Sequence, residues 1–164
     1  MRIIKNRQIV EDAWVHLCDE ALPVDGKVTV PFNRWRVERQ ALLDRDGEVG
    51  VRLNGESPEE LETLAGDLGK IQLVVLEVPK FTDGRVFSLA RLLRERYGYR
   101  EEIRVLGDFL YDQIFYLERV GVDAFEYRGS ESLEEALRAF STFSVKYQPA
   151  ADGGGLIRQR GRSV

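Results

Sequence analysis

Short apolar runs alternate with longer amphipathic stretches along most of this chain, and turn residues mark the boundaries between them. Ile71, Leu73, Val74, Val75, Leu76 and Val78 form a near-continuous apolar run, the pattern of a parallel strand covered on both faces, and Pro79 stops it. Val28-Thr29-Val30 before Pro31, Val49-Gly50-Val51-Arg52-Leu53, Ile103-Arg104-Val105-Leu106 and Phe125-Glu126-Tyr127 predict four further strands. Helical spacing fills the intervals. Asn33 is placed to cap a helix through Trp35, Val37, Ala41 and Leu42, and Ser57, Pro58 and Glu60 make a capping box ahead of Leu61, Leu64 and Leu68. Leu89, Leu92, Leu93 and Tyr97 form the next helix, closed by Gly98. Asp108 is placed to cap a helix carrying Leu110, Ile114, Leu117 and Val120, and Ser132 with Glu135 opens a last one through Leu133, Leu137 and Phe140. Ahead of all this, Ile3-Ile4 and Ile9-Val10 around Lys5-Asn6-Arg7-Gln8 predict a small hairpin outside the main sheet. The stretch from Trp14 to Leu22 reads as helical or irregular.

Strands alternating with helices of this length define an α/β fold with right-handed crossovers. The expected architecture is a mostly parallel sheet of about five strands with flanking helices and the N-terminal hairpin, forming one domain over residues 1–148. One pattern favours an alternative. Successive strands each place a charge among their apolar residues, Arg52, Glu77, Arg104 and Glu126, alternating in sign. Burying these under helices is costly unless they pair. The lumen of a partial (β/α) barrel, completed by a second copy in a homodimer, would hold them, whereas strand tips in solvent would leave the open sheet intact.

Composition narrows the function classes. The 164 residues with 43% hydrophobic content suffice for one ordinary core, and a net charge of −4 gives no overall attraction to nucleic acid or anionic membrane. No stretch reaches the roughly 18 apolar residues of a membrane span, and the first residues lack the apolar core of a secretory signal, so a cytoplasmic location is expected. With Cys18 the only cysteine and His16 the only histidine, a disulfide, an iron–sulfur cluster and a structural zinc site are not expected, and Cys18 reads as buried packing. No GxGxxG follows a strand and no GxxxxGK[ST] occurs, so no nucleotide cofactor is expected. The tail from Pro149, with three consecutive glycines and Arg158, Arg160 and Arg162, is too poor in apolar residues to fold and is expected to be disordered.

Charge is unevenly spread. Six cations, Lys80, Arg85, Arg91, Arg94, Arg96 and Arg100, face only Asp83 and Glu95 between positions 80 and 100. The loop Lys80-Phe81-Thr82-Asp83-Gly84-Arg85 leaves the carboxyl end of the Ile71 strand, where α/β proteins bind ligands, and enters a helix whose N-terminus favours an anion by about 0.3–1 kcal/mol. Lys80, Thr82, Asp83, Arg85, Arg91 and Arg94 are therefore candidate ligand- or partner-binding residues. Asp108 and Asp112 leave the next strand on the same end and join them if the two strands are adjacent. Plainer roles compete: Asp83-Gly84 is a common turn pair, Arg91 with Glu95 is an ordinary i,i+4 pair, and Asp108 suits a cap.

The segments Pro79–Arg85, Ser88–Arg94 and Tyr97-Gly98-Tyr99, followed by Gly107-Asp108, Asp112-Gln113 and Gly121–Phe125, resemble the bacterial domain-of-unknown-function family 934, from the N-terminal hairpin to Tyr147. The resemblance implies a link to sulfur assimilation, since members are named as oxidoreductases or accessory proteins of sulfite reduction from genes beside those for sulfite reductase and phosphoadenylyl-sulfate reductase. It carries over no catalytic residue. The family's Gly-Glu after Tyr-Gly-Tyr appears here as Glu101-Glu102. Two functions follow: an accessory protein of sulfate or sulfite reduction that binds an anion or one of those reductases through the loop and helix at 79–97, or a small enzyme acting on an anionic substrate in the same crevice.

Overall fold

In the computed structural model the described residues are 1–19, 25–55, 59–79, 84–110 and 112–142. Eight strands make one sheet: β1 (Arg2–Lys5), β2 (Gln8–Glu11), β3 (Val15–His16), β4 (Val28–Pro31), β5 (Val49–Leu53), β6 (Leu73–Val78), β7 (Glu102–Gly107) and β8 (Ala124–Tyr127). The helices are α1 (Phe32–Asp44), α2 (Glu59–Leu64), α3 (Arg85–Glu95), α4 (Gln113–Arg119) and α5 (Leu133–Thr142), with a 3-10 segment at Ala65–Lys70.

The sheet order is β2-β1-β8-β7-β6-β5-β4-β3, so β3 to β8 lie side by side in chain order and parallel. This corrects the expected open five-strand sheet. A doubly wound sheet needs a point where strand order reverses, and here there is none; right-handed crossovers in unbroken order place every connecting helix on one face. The arrangement is a half-barrel, as in the alternative architecture. The hairpin is also not outside the sheet, because β1 pairs antiparallel with β8 through Ile4–Phe125 and Lys5–Ala124. Its turn residues Asn6 and Arg7 both have positive φ, 49° and 63°, as a two-residue primed turn requires.

Chain length enforces the curl. β2 and β3 are the two edges of the sheet, about 33 Å apart if eight strands lay flat at ~4.8 Å spacing. Only Asp12, Ala13 and Trp14 join them, a reach of at most about 14 Å. The sheet must therefore bend until its edges approach, and Asp12 to Trp14 bridge the opening. β3 itself escaped the sequence pattern because two residues are too few to show alternation.

The helix side holds the main core: Val28, Val30, Val51, Leu53, Val74, Leu76, Ile103, Val105 and Phe125 from the strands pack against Trp35, Leu42, Leu61, Leu64, Ala90, Leu93, Ile114 and Leu117. Val37 of α1 is instead exposed. On the concave side, Leu73, Val75 and Leu106 pack beneath Trp14, so β6 is covered on both faces as its sequence predicted. The Ser132–Glu135 capping box forms: the Ser132 Oγ accepts from the Glu135 amide at 3.2 Å, and the Glu135 carboxylate accepts from the Ser132 amide at 3.0 Å. Two other expected caps do not. Pro31 precedes α1, leaving Asn33 inside its first turn, and Asp112 rather than Asp108 precedes α4. Ser57 and Pro58 lie outside the described residues, as do residues 149–164. No helix among the described residues is long and apolar enough to cross a membrane.

Candidate functional site

Two regions carry the chemistry of this fold, the lumen of the half-barrel and the outer face of α3. Strand alternation sends Thr29, Arg52, Glu77, Glu102, Arg104 and Glu126 to the concave side, opposite the core residues. Arg104 and Glu126 are 1% and 2% exposed. Burial of such charges is tolerable only with full pairing, and the pairing is complete. Arg104 donates through both terminal nitrogens to Asp12, at 2.8 and 3.0 Å, and through Nε to Glu102 at 3.0 Å. Burial alone would depress its pKa, but Asp12 and Glu102 outweigh that and hold it raised. Lys5 reaches Glu102 at 2.6 Å from β1.

A second row of bonds crosses the lumen. Arg52 donates to Glu77 at 3.0 Å, to the Thr29 hydroxyl at 2.8 Å and carbonyl at 2.9 Å, and to the Leu17 carbonyl at 2.6 Å. His16 lies between Thr29 Oγ1 on Nδ1 and Glu126 on Nε2, each at 2.6 Å. Because Thr29 Oγ1 already accepts from Arg52, its own proton is free for Nδ1. A neutral imidazole then carries its hydrogen on Nε2, towards Glu126, an assignment made from the network. Burial pushes the Glu126 carboxyl up, yet the bonds from His16 and Arg128 more than offset it and hold the group below the usual range.

Hydroxyl, imidazole and carboxylate in a row have the order of an acid–base relay. Thr29, however, is fully buried, and its oxygen is held by Arg52. One ligand atom each from Asp12, His16 and Glu126 lies within 4.8 Å of the others, a donor set suited by type to a divalent cation. The Arg104 guanidinium takes both Asp12 oxygens and stands 3.9 Å from Glu126, so the chain supplies its own cation there.

The residues singled out by sequence separate in space. Lys80, Thr82 and Asp83 lie outside the described residues. Arg85 opens α3 and donates to the Gly55 carbonyl at 3.0 Å. Asp108 and Asp112 are exposed on the loop after β7, at the carboxyl end of the sheet. Arg94 sits at the other end, since the 11 residues of α3 span about 16 Å. There it donates to the carbonyls of Tyr99, Glu101 and Gly121 at 2.6, 2.9 and 3.0 Å and to Asp123 at 2.5 Å, tying α3 to the start of β7 and β8. Gly121, at φ +105°, makes room for it: a Cβ there would meet Arg94 Cγ at 2.5 Å. Burial raises the Asp123 carboxyl despite Arg94, and burial with Glu101 nearby raises the Tyr99 phenol, which donates to the Ile71 carbonyl.

The outer face of α3 differs in kind. A recess of about 430 Å³ is lined by Ser88, Arg91, Leu92, Glu95 and Arg96, and Leu92 on its floor is 37% exposed. Arg91 pairs with Glu95 at 3.2 Å, both half in water. Cys18, expected in the core, is exposed just beyond β3. Asp12, His16 and Thr29 were missed by sequence reasoning because their partners lie up to 110 residues away; only the alternating strand charges hinted at a shared face.

Fold and lumen together define an α/β half-barrel protein whose concave side is packed with ion pairs. The chain belongs to the family described as bacterial protein of unknown function, DUF934, whose sequence profile matches residues 50–155. The match opens at β5, later than the hairpin where the resemblance was expected to begin. It takes in Arg52, Glu77, Arg104, Glu126 and all of α3, while Asp12, His16 and Thr29 fall outside it. No curated protein matches the chain.

Proposed function

We infer that the chain is an accessory protein of assimilatory sulfate or sulfite reduction, holding an anionic group, on a reductase or as a free anion, through the cationic loop and helix at 79–97. The observation that carries this is the contrast in pairing. The lumen arginines are consumed by internal bonds, whereas α3 turns cations outward around an apolar recess on a chain of net negative charge. Surface cations of this kind steer an anionic partner and fix its register. The pathway comes from the gene neighbourhoods of the family. Deleting the gene should impair growth on sulfate or sulfite, with cysteine restoring it; normal growth on both removes the pathway.

A second reading, a small enzyme acting on an anionic substrate, rests on the His16–Glu126 pair, whose imidazole is partly exposed and suits acid–base work. It requires turnover that disappears in His16→Gln while the fold persists.

A further inference from the structure

We propose that the outer face of α3 is a docking surface for an acidic peptide segment bearing a large aliphatic side chain, supplied by a partner protein. This rests on the accessory reading and names the chemistry of the partner.

Two recesses flank the C-terminal half of α3, and Glu95 forms the ridge between them, lining both. The first, about 430 Å³, has Leu92 at its floor and the stems of Arg91 and Arg96 as walls. Long charged side chains present such stems as apolar surface while their heads stay in water. The recess is open to solvent, so it seats a side chain laid on it rather than enclosing a small molecule on all sides. The second recess, about 460 Å³, is polar and lined by Arg100, Glu118 and Asp123 among others.

The charges around the ridge decide the partner. Arg96 only stacks over the Tyr97 ring at 5.5 Å, and neither Arg96 nor Arg100 makes an ion pair among the described residues. Arg91 has the exposed bond to Glu95, a pair worth little against competition. The carboxylates lining these two recesses are already engaged: Glu95 by Arg91, Asp123 by Arg94, and Glu118 by Arg7 at 2.6 and 2.8 Å. Arg96 beside the apolar floor and Arg100 across the Glu95 ridge, both without an ion-pair partner among the described residues, complement carboxylates on either side of an aliphatic side chain and repel a basic segment.

The whole chain is titrated into a fluorescein-labelled peptide of alternating glutamate and leucine, with anisotropy as the readout. Binding is expected, and it should weaken about tenfold or more in the Arg96→Glu/Arg100→Glu variant, in Leu92→Asp, and with glutamine replacing glutamate in the peptide. Added salt should weaken it too. Arg96→Gln/Arg100→Gln, which introduces no repulsion, should give an intermediate loss, and thermal midpoints of all variants should match that of the parent chain. No binding, equal affinity for the glutamine peptide, or unchanged binding in the folded double variant overturns the proposal. So does a dimer in sedimentation velocity that Leu92→Asp dissociates, since the face would then belong to a second copy. Peptide binding with normal growth of the deletion strain keeps the surface and discards the pathway; impaired growth without peptide binding does the reverse.

Discussion

The arginines of the lumen and those of the outer α3 face are chemically identical, yet the fold uses them in opposite ways. Arg104 is buried, with every hydrogen-bond partner a carboxylate, so its charge holds β7 to the segment that closes the half-barrel. Arg96 and Arg100 are exposed to water, and none of the described residues forms an ion pair with them. An arginine-rich segment therefore says little until each guanidinium is placed. Arg94 makes the point within a single helix: three residues from Arg91 and two from Arg96, it points inward and serves three carbonyls and Asp123.

This difference can be broken most sharply at Arg104. Truncating it to alanine strands Asp12 without its cation and leaves Glu102 with Lys5 alone, and the expected loss is about 3–5 kcal/mol in urea unfolding. A loss below about 1 kcal/mol would show that water reaches the lumen and screens these charges. Arg94→Ala removes four bonds at the foot of α3 and should cost about 2–3 kcal/mol, given that hydrogen bonds to charged groups are worth about 1.5–3 kcal/mol each and part of the site opens to solvent. Arg91→Ala, by contrast, should fall within about 0.5 kcal/mol of the parent. Similar costs for the two would erase the distinction between inward and outward arginines.

Acid sharpens the same contrast. The Glu126 carboxyl is held below its ordinary value in the folded state, so the unfolded chain binds its proton more readily. Its stabilising contribution is present above the unfolded value, roughly pH 4.3 for a glutamate, and is lost as the pH falls through the lower folded value. Replacing it by glutamine should flatten the acid limb of a stability–pH curve and leave the limb near neutrality parallel to the parent. An unchanged acid limb means that other carboxylates set it. Asp123 has the opposite sign: its raised carboxyl means that the folded chain holds its proton longer, so its ionisation disfavours the fold as the pH climbs above the unfolded value. The smallest effect on stability belongs to the outer face, where Leu92→Asp should leave the thermal midpoint essentially unmoved while weakening binding of the acidic peptide about tenfold or more.

The alternation of strands and helices, the apolar strand at β6, the hairpin and the Ser132 capping box were all legible from residue order, because each depends on contacts within a few residues or on a period of 2 or 3.6. The charges at Arg52, Glu77, Arg104 and Glu126 also stood out, and their shared parity along paired strands made a common lumen foreseeable. What residue order did not reveal was the partner of each charge. Asp12 meets Arg104 across 92 positions and His16 meets Glu126 across 110, through a two-residue strand with no periodicity of its own. Those meetings exist because three residues must join the two edges of an eight-stranded sheet, which forces the curl and brings both edges over one lumen. Local sequence thus determined which elements form and which face of each is polar. Only closure of the sheet decided which charges are buried together and which, on the outer face of α3, stay in water.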